Sequence, residues 1–330
     1  MLHLSWKEDY EISNKNVWIP GSFPGSAGIL CMLPTKQGVR GIYGDADNPP
    51  LGMKLLIDIG NTCTKLAVGC SGKEGHKGEI VYIERKDDAE SWTSLFSRLG
   101  SIYPLSACAV SCVGHYDASL PEVLRQQPYP FIWLRYDTPC MLRDTPQGYG
   151  SDRLADDLGA IAVLREQMPH ATAEDITRQG LLVIDAGTCI TYDFIQHCRV
   201  ASGVISPGAQ LRLRAMHDHT ALLPLINLDT PDFDHLHYNL YGQGDAVQAS
   251  RQPAHHVTPL LGTNTEDCML SAALHGIRFE IEGYIRALQR KYPRLRVCLT
   301  GGNRFEMSPD VSARCLYHPN LVLYGLLSIV

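Results

Sequence analysis

Two stretches of this 330-residue chain nearly repeat one another: LLIDIGNTCTKLAV from Leu55 to Val68 and LLVIDAGTCITYDF from Leu181 to Phe194. Each reads as an apolar strand, an Asp-x-Gly turn rich in Thr, and a second apolar strand, which is a hairpin. A Gly at the tip lets the backbone approach a phosphate closely, and neighbouring N–H groups and Thr hydroxyls can donate to phosphate oxygens. A carboxylate does not bind phosphate directly, so the Asp in each turn implies an intervening cation of the hard kind that prefers oxygen ligands. One such turn is ordinary turn chemistry. Two in corresponding places predict a duplicated fold with two related halves.

The elements around the hairpins extend the pattern. KLLIDIG, TKLAVG and EIVYIER predict a three-stranded antiparallel meander. SWTSLFSRLG predicts a helix with Ser91 as N-cap and Trp92, Leu95, Phe96 and Leu99 on one face. A strand (ACAVSCV), a helix from Pro121 and a strand (FIWLR) complete a β-β-β-α-β-α-β unit. After GYGSDR an amphipathic helix is expected from about Leu154 to Gln167, with Leu154, Leu158, Ile161 and Leu164 on its apolar side. The second half opens again with three strands, LLVIDAG, ITYDFI and RVASGVIS. A helix after Pro207-Gly208 carries Leu211, Leu213 and Met216, and a long helix is expected from Thr265 to Tyr292. RVCLTGG is a buried strand ending in a Gly pair, and PNLVLYGLLSIV closes the chain as an apolar helix.

Two regions stand apart. Residues 1–52 are rich in Gly, Pro and Asp without sustained periodicity and are expected to be poorly ordered, with Met53 placed where a translation start would begin the fold. Residues 229–256 read as a long polar loop, and its His235, His237, His255 and His256 fit a solvated segment better than a metal site. The net charge of −6 gives no basic footprint for nucleic acid. No apolar run is long enough to span a bilayer, and the amino terminus lacks a basic region followed by an apolar one. The 11 cysteines contain no Cys-x-x-Cys pair, which points to a reduced, cytoplasmic setting.

Two Asp-x-Gly-Thr hairpins and a late Gly pair resemble the superfamily of actin, the seventy-kilodalton heat-shock chaperone and the sugar and acetate kinases. That resemblance implies an α/β fold of the duplicated ribonuclease-H-like, actin-like ATPase kind: two similar domains, at 53–165 and 166–330, with mixed five-stranded sheets. Within it, DIGNT at Asp58 to Thr62, GSDR at Gly150 to Arg153, DAGT at Asp185 to Thr188, GVISPG at Gly203 to Gly208 and TGG at Thr300 to Gly302 together resemble the type III pantothenate kinase family. The implied activity is ATP-dependent phosphorylation of pantothenate, the first step of coenzyme A synthesis. A non-catalytic transcriptional accessory protein of the same fold, or a kinase of another small alcohol, are the alternatives.

Phosphoryl transfer to an alcohol needs phosphate neutralisation, in-line placement and a carboxylate near the hydroxyl. Asp152, at the start of a helix beside Arg153, suits the last role. The resemblance further implies that Asp58, Ile59, Gly60, Asn61, Thr62, Cys63, Thr64 and Lys65 form the ATP phosphate loop, with Asp58 oriented to Mg²⁺. It implies that Gly150, Ser151, Asp152 and Arg153 bind pantothenate, with Asp152 taking the hydroxyl proton, and that Thr188 contacts ATP. Asp185 would hold a monovalent cation, K⁺ or NH₄⁺. Thr265 would reach pantothenate, often across a homodimer interface, or serve as a helix N-cap. One departure is Arg143, which stands where the family commonly has a Tyr; either Arg143 pairs with the substrate carboxylate or nearby Tyr149 compensates.

Overall fold

A computed structural model describes residues 52–71, 78–228, 258–303, 305 and 307–330. The expectations for the amino-terminal extension and for the 229–256 segment with its histidines lie outside the described residues.

The first apolar repeat forms β1 (Met53–Ile59) and β2 (Thr64–Cys70), followed by β3 (Glu79–Arg85), α1 (Trp92–Ile102), β4 (Leu105–Cys112), α2 (Leu120–Arg125) and β5 (Phe131–Trp133). The sheet order is β3-β2-β1-β4-β5, antiparallel on the β2 side of β1 and parallel on the β4 side. Helix α1 begins as expected: the Ser91 hydroxyl accepts from the Ser94 N–H at 3.2 Å, and Trp92, Leu95, Phe96 and Leu99 are buried. They join Leu55, Ile57 and Leu66 in one apolar cluster. Burying each such Leu or Ile contributes roughly 1.5–3 kcal/mol.

The second repeat forms β6 (Leu181–Ala186) and β7 (Cys189–Gln196), then β8 (Arg199–Pro207), β9 (Arg296–Thr300) and β10 (Cys315–Tyr317). Its sheet runs β10-β9-β6-β7-β8, the order of the first sheet read from its other edge. Again the hairpin pair is antiparallel and the β6–β9 pair parallel. A meander joined to parallel strands in this order is the ribonuclease-H-like sheet, present twice.

Between the sheets' sequences lie α3 (Ser151–Gln167) and the short α4 (Ala173–Thr177), the latter started by a Thr172–Asp175 capping box. Later come α5 (Ala209–Asp218), α6 (Thr265–Lys291), α7 (Pro309–Ser312) and α8 (Leu321–Leu327). The expected helix from Leu154 starts one turn earlier, at Ser151, and is not amphipathic: every residue from Leu154 to Leu164 is buried, Asp156 and Asp157 among them. The cause is that α3 shares one apolar cluster with Leu56, Ala67 and Ala109 of the first sheet and with Leu181, Val183 and Ile195 of the second. It crosses α8 at backbone contact. A Cβ on Gly159 would lie 2.0 Å from the Leu321 carbonyl oxygen, and one on Gly325 would lie 1.8 Å from that of Ala155. Only glycine at both crossing points allows that approach.

The chain divides into two compact units. One comprises Ala209–Ala287 and Asn303–Cys315, where buried Glu282 accepts from Arg278 Nε at 3.1 Å, Arg286 Nη1 at 2.8 Å and the Ser308 N–H at 2.6 Å. The other holds the described residues up to Gly208 with Leu288–Gly302 and Leu316–Val330, and so contains both hairpins and α3. The ten described cysteines are all free. Among the described residues no helix is long and apolar enough to cross a membrane.

Candidate active site

Both hairpin aspartates stand at equivalent places. Asp58 is paired across the hairpin with Lys65 and in parallel with Ser111, while Asp185 is paired with Thr191 and Thr300. Each turn is closed by its glycine, the second one residue tighter than the first: Gly60 N–H donates to the Cys63 carbonyl and Gly187 N–H to that of Cys189, each at 3.1 Å. The Gly60 and Gly187 donors are therefore spent within the turns, and Asn61 and Thr62 are the exposed residues of the first tip. The two tips meet, with the Thr62 and Thr188 hydroxyl oxygens 2.8 Å apart. After β9, Gly301 backs onto the second hairpin, its missing Cβ only 2.5 Å from Asp185 Oδ1.

The third component is the amino-terminal turn of α3. Its entry is fixed by Ser151, buried, whose hydroxyl accepts from the Cys112 N–H at 2.9 Å and donates to the Cys112 carbonyl at 3.1 Å. The side chain of Ser151 thus ties the helix to the end of β4. Asp152 folds back over the helix start, where its Oδ1 accepts from the Arg153 N–H at 2.8 Å. Gly150 leaves the space for that carboxylate, since a Cβ there would lie 2.5 Å from Asp152 Oδ1.

The electrostatics of this region are dominated by half-buried carboxylates. Burial pushes Asp58 up from 3.8 to about 6 against the pull of Lys65, with Asp152 adding to the rise. Asp185 rises to about 7, again by burial first, offset by Lys65 and reinforced by Asp152 and Asp58. Asp152 is raised by burial, with the Arg153 N–H and the Arg153 charge opposing. Asp58 Oδ1 is sealed from solvent without a hydrogen-bond partner. An unpartnered buried carboxylate oxygen beside other carboxylates fits a cation. Among the described residues no group of three or more His, Cys, Asp or Glu could hold a metal ion alone. That is compatible with a cation that takes its remaining ligands from phosphates and water, as Mg²⁺ does.

Sequence reasoning missed Asp156 and Asp157, on α3, and Asp193, on β7, all buried. Burial also raises Asp156, followed by the charges of Asp185, Asp58 and Asp152, and raises Asp157, followed by the charge of Asp193. Asp193 holds Arg153 through Nε, 3.1 Å from each carboxylate oxygen, and through Nη2. Asp157 Oδ2 accepts from the Tyr149 hydroxyl at 2.8 Å, and the Arg153 guanidinium carbon lies 4.4 Å from the centre of the Tyr149 ring. A pair of acids inside an apolar helix pattern was the available signal. Arg143 is elsewhere: its backbone N–H donates to the Cys198 carbonyl and its exposed side chain pairs with Glu174 at 3.2 Å. Of the two residues weighed for the missing Tyr, Tyr149 is the one beside Arg153.

Thr265 lies in the other unit, as the first residue of α6. It does not cap that helix. Asn264 does, its Oδ1 accepting from the Asp267 N–H at 2.9 Å, which leaves Thr265 exposed on a depression of about 510 Å³ lined also by Met216, Leu223 and Cys268.

Two ribonuclease-H-like sheets, each carrying a half-buried Asp in its hairpin, with a helix start carrying a third carboxylate, define a duplicated α/β protein with an acidic site at its hairpins. Residues 54–287 match the sequence profile of type III pantothenate kinase. A type III pantothenate kinase from Bacteroides fragilis is 33% identical over 278 residues, covering 83% of this chain and 96% of that protein. Those of Phocaeicola vulgatus (83% and 96% covered) and Flavobacterium psychrophilum (83% and 97%) are 32% and 28% identical. The chain belongs to the type III pantothenate kinase family.

Proposed function

We infer that this chain transfers the γ-phosphoryl group of ATP to the primary alcohol of pantothenate, giving 4′-phosphopantothenate and ADP, the first committed phosphorylation on the way to coenzyme A. The observation that carries the reading is Asp152 held at the start of α3 within the electrostatic reach of both hairpin aspartates, in a chain of this family.

Asp152 accepts the proton as the pantothenate oxygen forms its bond to the γ-phosphorus, and the bond from that phosphorus to the bridging oxygen breaks to release ADP. Its burial favours this role, because a raised carboxylate is a stronger base than an exposed one. Residues 58–65 cradle the phosphates, with Lys65 countering their charge and Thr188 approaching from the second hairpin. Asp58 orients Mg²⁺, which when bound offsets charge on the phosphate oxygens. Asp185 holds K⁺ or NH₄⁺, a reading supported by its raised state, which a neighbouring cation would relieve. Gly150, Ser151 and Arg153 bind pantothenate; for Ser151 the backbone is the available contact, as its hydroxyl is engaged with Cys112. Thr265 reaches pantothenate across the interface of a homodimer. A cytoplasmic homodimer completes the reading, and the half-exposed Phe279 on α6 supports an interface there.

The test is ATP-dependent phosphorylation of pantothenate with and without K⁺, comparing wild type with Asp152→Asn. Turnover is expected to fall about 10²- to 10⁴-fold in the variant with circular dichroism unchanged. An unaltered rate would remove Asp152 from the chemistry. A wild-type protein inactive with K⁺ or NH₄⁺ would refute the kinase reading and favour a regulatory one.

A further inference from the structure

Arg153 is half of the Gly-x-Asp-Arg turn, yet its side chain is held by residues that no motif of the chain advertises. A guanidinium offers five N–H donors in a planar fork. One edge, Nε with Nη2, is given to Asp193 on β7, a residue only 1% exposed. Nη1 has no hydrogen-bond partner among the described residues, and the side chain retains 17% exposure. The flat face rests on Tyr149, whose hydroxyl is tied to Asp157 on α3, itself 0% exposed. The place for the ion pair is opened by Gly203 on β8, since a Cβ there would lie 2.6 Å from Arg153 Nη2 and 3.0 Å from Asp193 Oδ1. Three separate elements thus fix one edge and one face of the arginine and leave its other edge free.

We propose that Asp193 and Asp157 are positioning residues for the acceptor site: Asp193 clamps Arg153 directly, Asp157 anchors the Tyr149 ring beneath it, and the free Nη1 edge is thereby presented to an anionic group of the acceptor. The proposal rests on the kinase reading above, with pantothenate as the carboxylate-bearing acceptor. Neither aspartate touches the reacting atoms. The Asp193 charge already balances that of Arg153, so the acceptor anion is recognised by directed hydrogen bonds and not by net positive charge. An arginine without its clamp would spread over many rotamers, and acceptor binding would weaken while nucleotide binding would not.

Steady-state kinetics of Asp193→Asn, Arg153→Gln and the double variant test this. Asp193→Asn is expected to raise the pantothenate KM about 10- to 100-fold, the range for losing a charge-assisted hydrogen bond, with the ATP KM within about twofold. In the Arg153→Gln background the same substitution is expected to have no further effect, because Asp193 acts through Arg153. Equal changes in both KM values, no change in either, or additive effects in the double variant overturn the proposal. Should Asp193→Asn fail to fold, Gly203→Ala at an exposed strand position decides: crowding the ion pair raises the pantothenate KM selectively, and an unchanged value overturns the proposal. If wild type phosphorylates no pantothenate, the kinase reading fails first and the proposal falls with it, an outcome distinct from an active wild type and an indifferent variant.

Discussion

Asp58→Asn separates what the folded chain needs from what its chemistry needs. Burial holds the Asp58 carboxyl at about 6 against an ordinary 3.8, and its Oδ1 has no partner. A raised folded value means that stability from this group is fully present below about pH 4 and is lost as pH rises through 6. The difference between 3.8 and about 6 corresponds to ~3 kcal/mol of penalty at neutral pH and above, at roughly 1.4 kcal/mol per tenfold change in proton affinity. Part of the residue's surface stays exposed, so ~3 kcal/mol is a ceiling. Asn keeps the shape and removes the charge. In urea unfolding without nucleotide or Mg²⁺, the variant is therefore expected to be more stable than wild type by about 1–3 kcal/mol near pH 8, with the gap closing near pH 4, while kinase turnover collapses. A variant less stable than wild type near pH 8, or a gap that ignores pH, would refute the reasoning that this carboxylate is held charged at the fold's expense.

Asp185→Ala is expected to abolish the response of kinase activity to K⁺, measured as rate against K⁺ concentration; a retained response would place the cation elsewhere. Gly325→Ala puts a methyl 1.8 Å from the Ala155 carbonyl oxygen, and a loss of about 1–3 kcal/mol or more in urea unfolding is expected from forcing α3 and α8 apart; a midpoint within error of wild type would mean that the crossing yields freely. Wild type without ligand should grow less stable between about pH 4 and 7, where Asp58 and Asp185 keep in the fold the protons that the unfolded chain has released, and a cation that occupies their surroundings should reverse the trend.

The hairpins were legible because two Asp-x-Gly turns flanked by apolar strands leave few other folds, and Ser91 with its four apolar followers gave α1 outright. What escaped had particular causes. In α3, Leu154, Leu158, Ile161 and Leu164 recur at helical intervals; that period sets Asp156 on the opposite face, whereas Asp157, three residues after Leu154, falls on the apolar stripe itself. The burial of Asp156 follows from packing of α3 on both sheets, which no local pattern carries. Nothing in the local sequence singles out Asp193; its meaning lies in Arg153, forty residues away. Helices α4 and α7 and strand β10 are too short to register as periods. Thr265 looked like a cap, but the cap fell one residue earlier, on Asn264, which freed the Thr hydroxyl.

The shared position of α3 has a consequence for the duplication itself. Its buried flank belongs to neither repeat alone, because Leu154, Leu158 and Ile161 sit in a cluster fed by both sheets. Cut after Gln167, the leading fragment would keep the helix and lose the second sheet that covers it; the trailing fragment would keep the sheet and lose the helix. The chain is thus repeated in pattern but not in autonomy. The surface along which the two repeats meet is interior to the fold, and neither half has a complete core without the other.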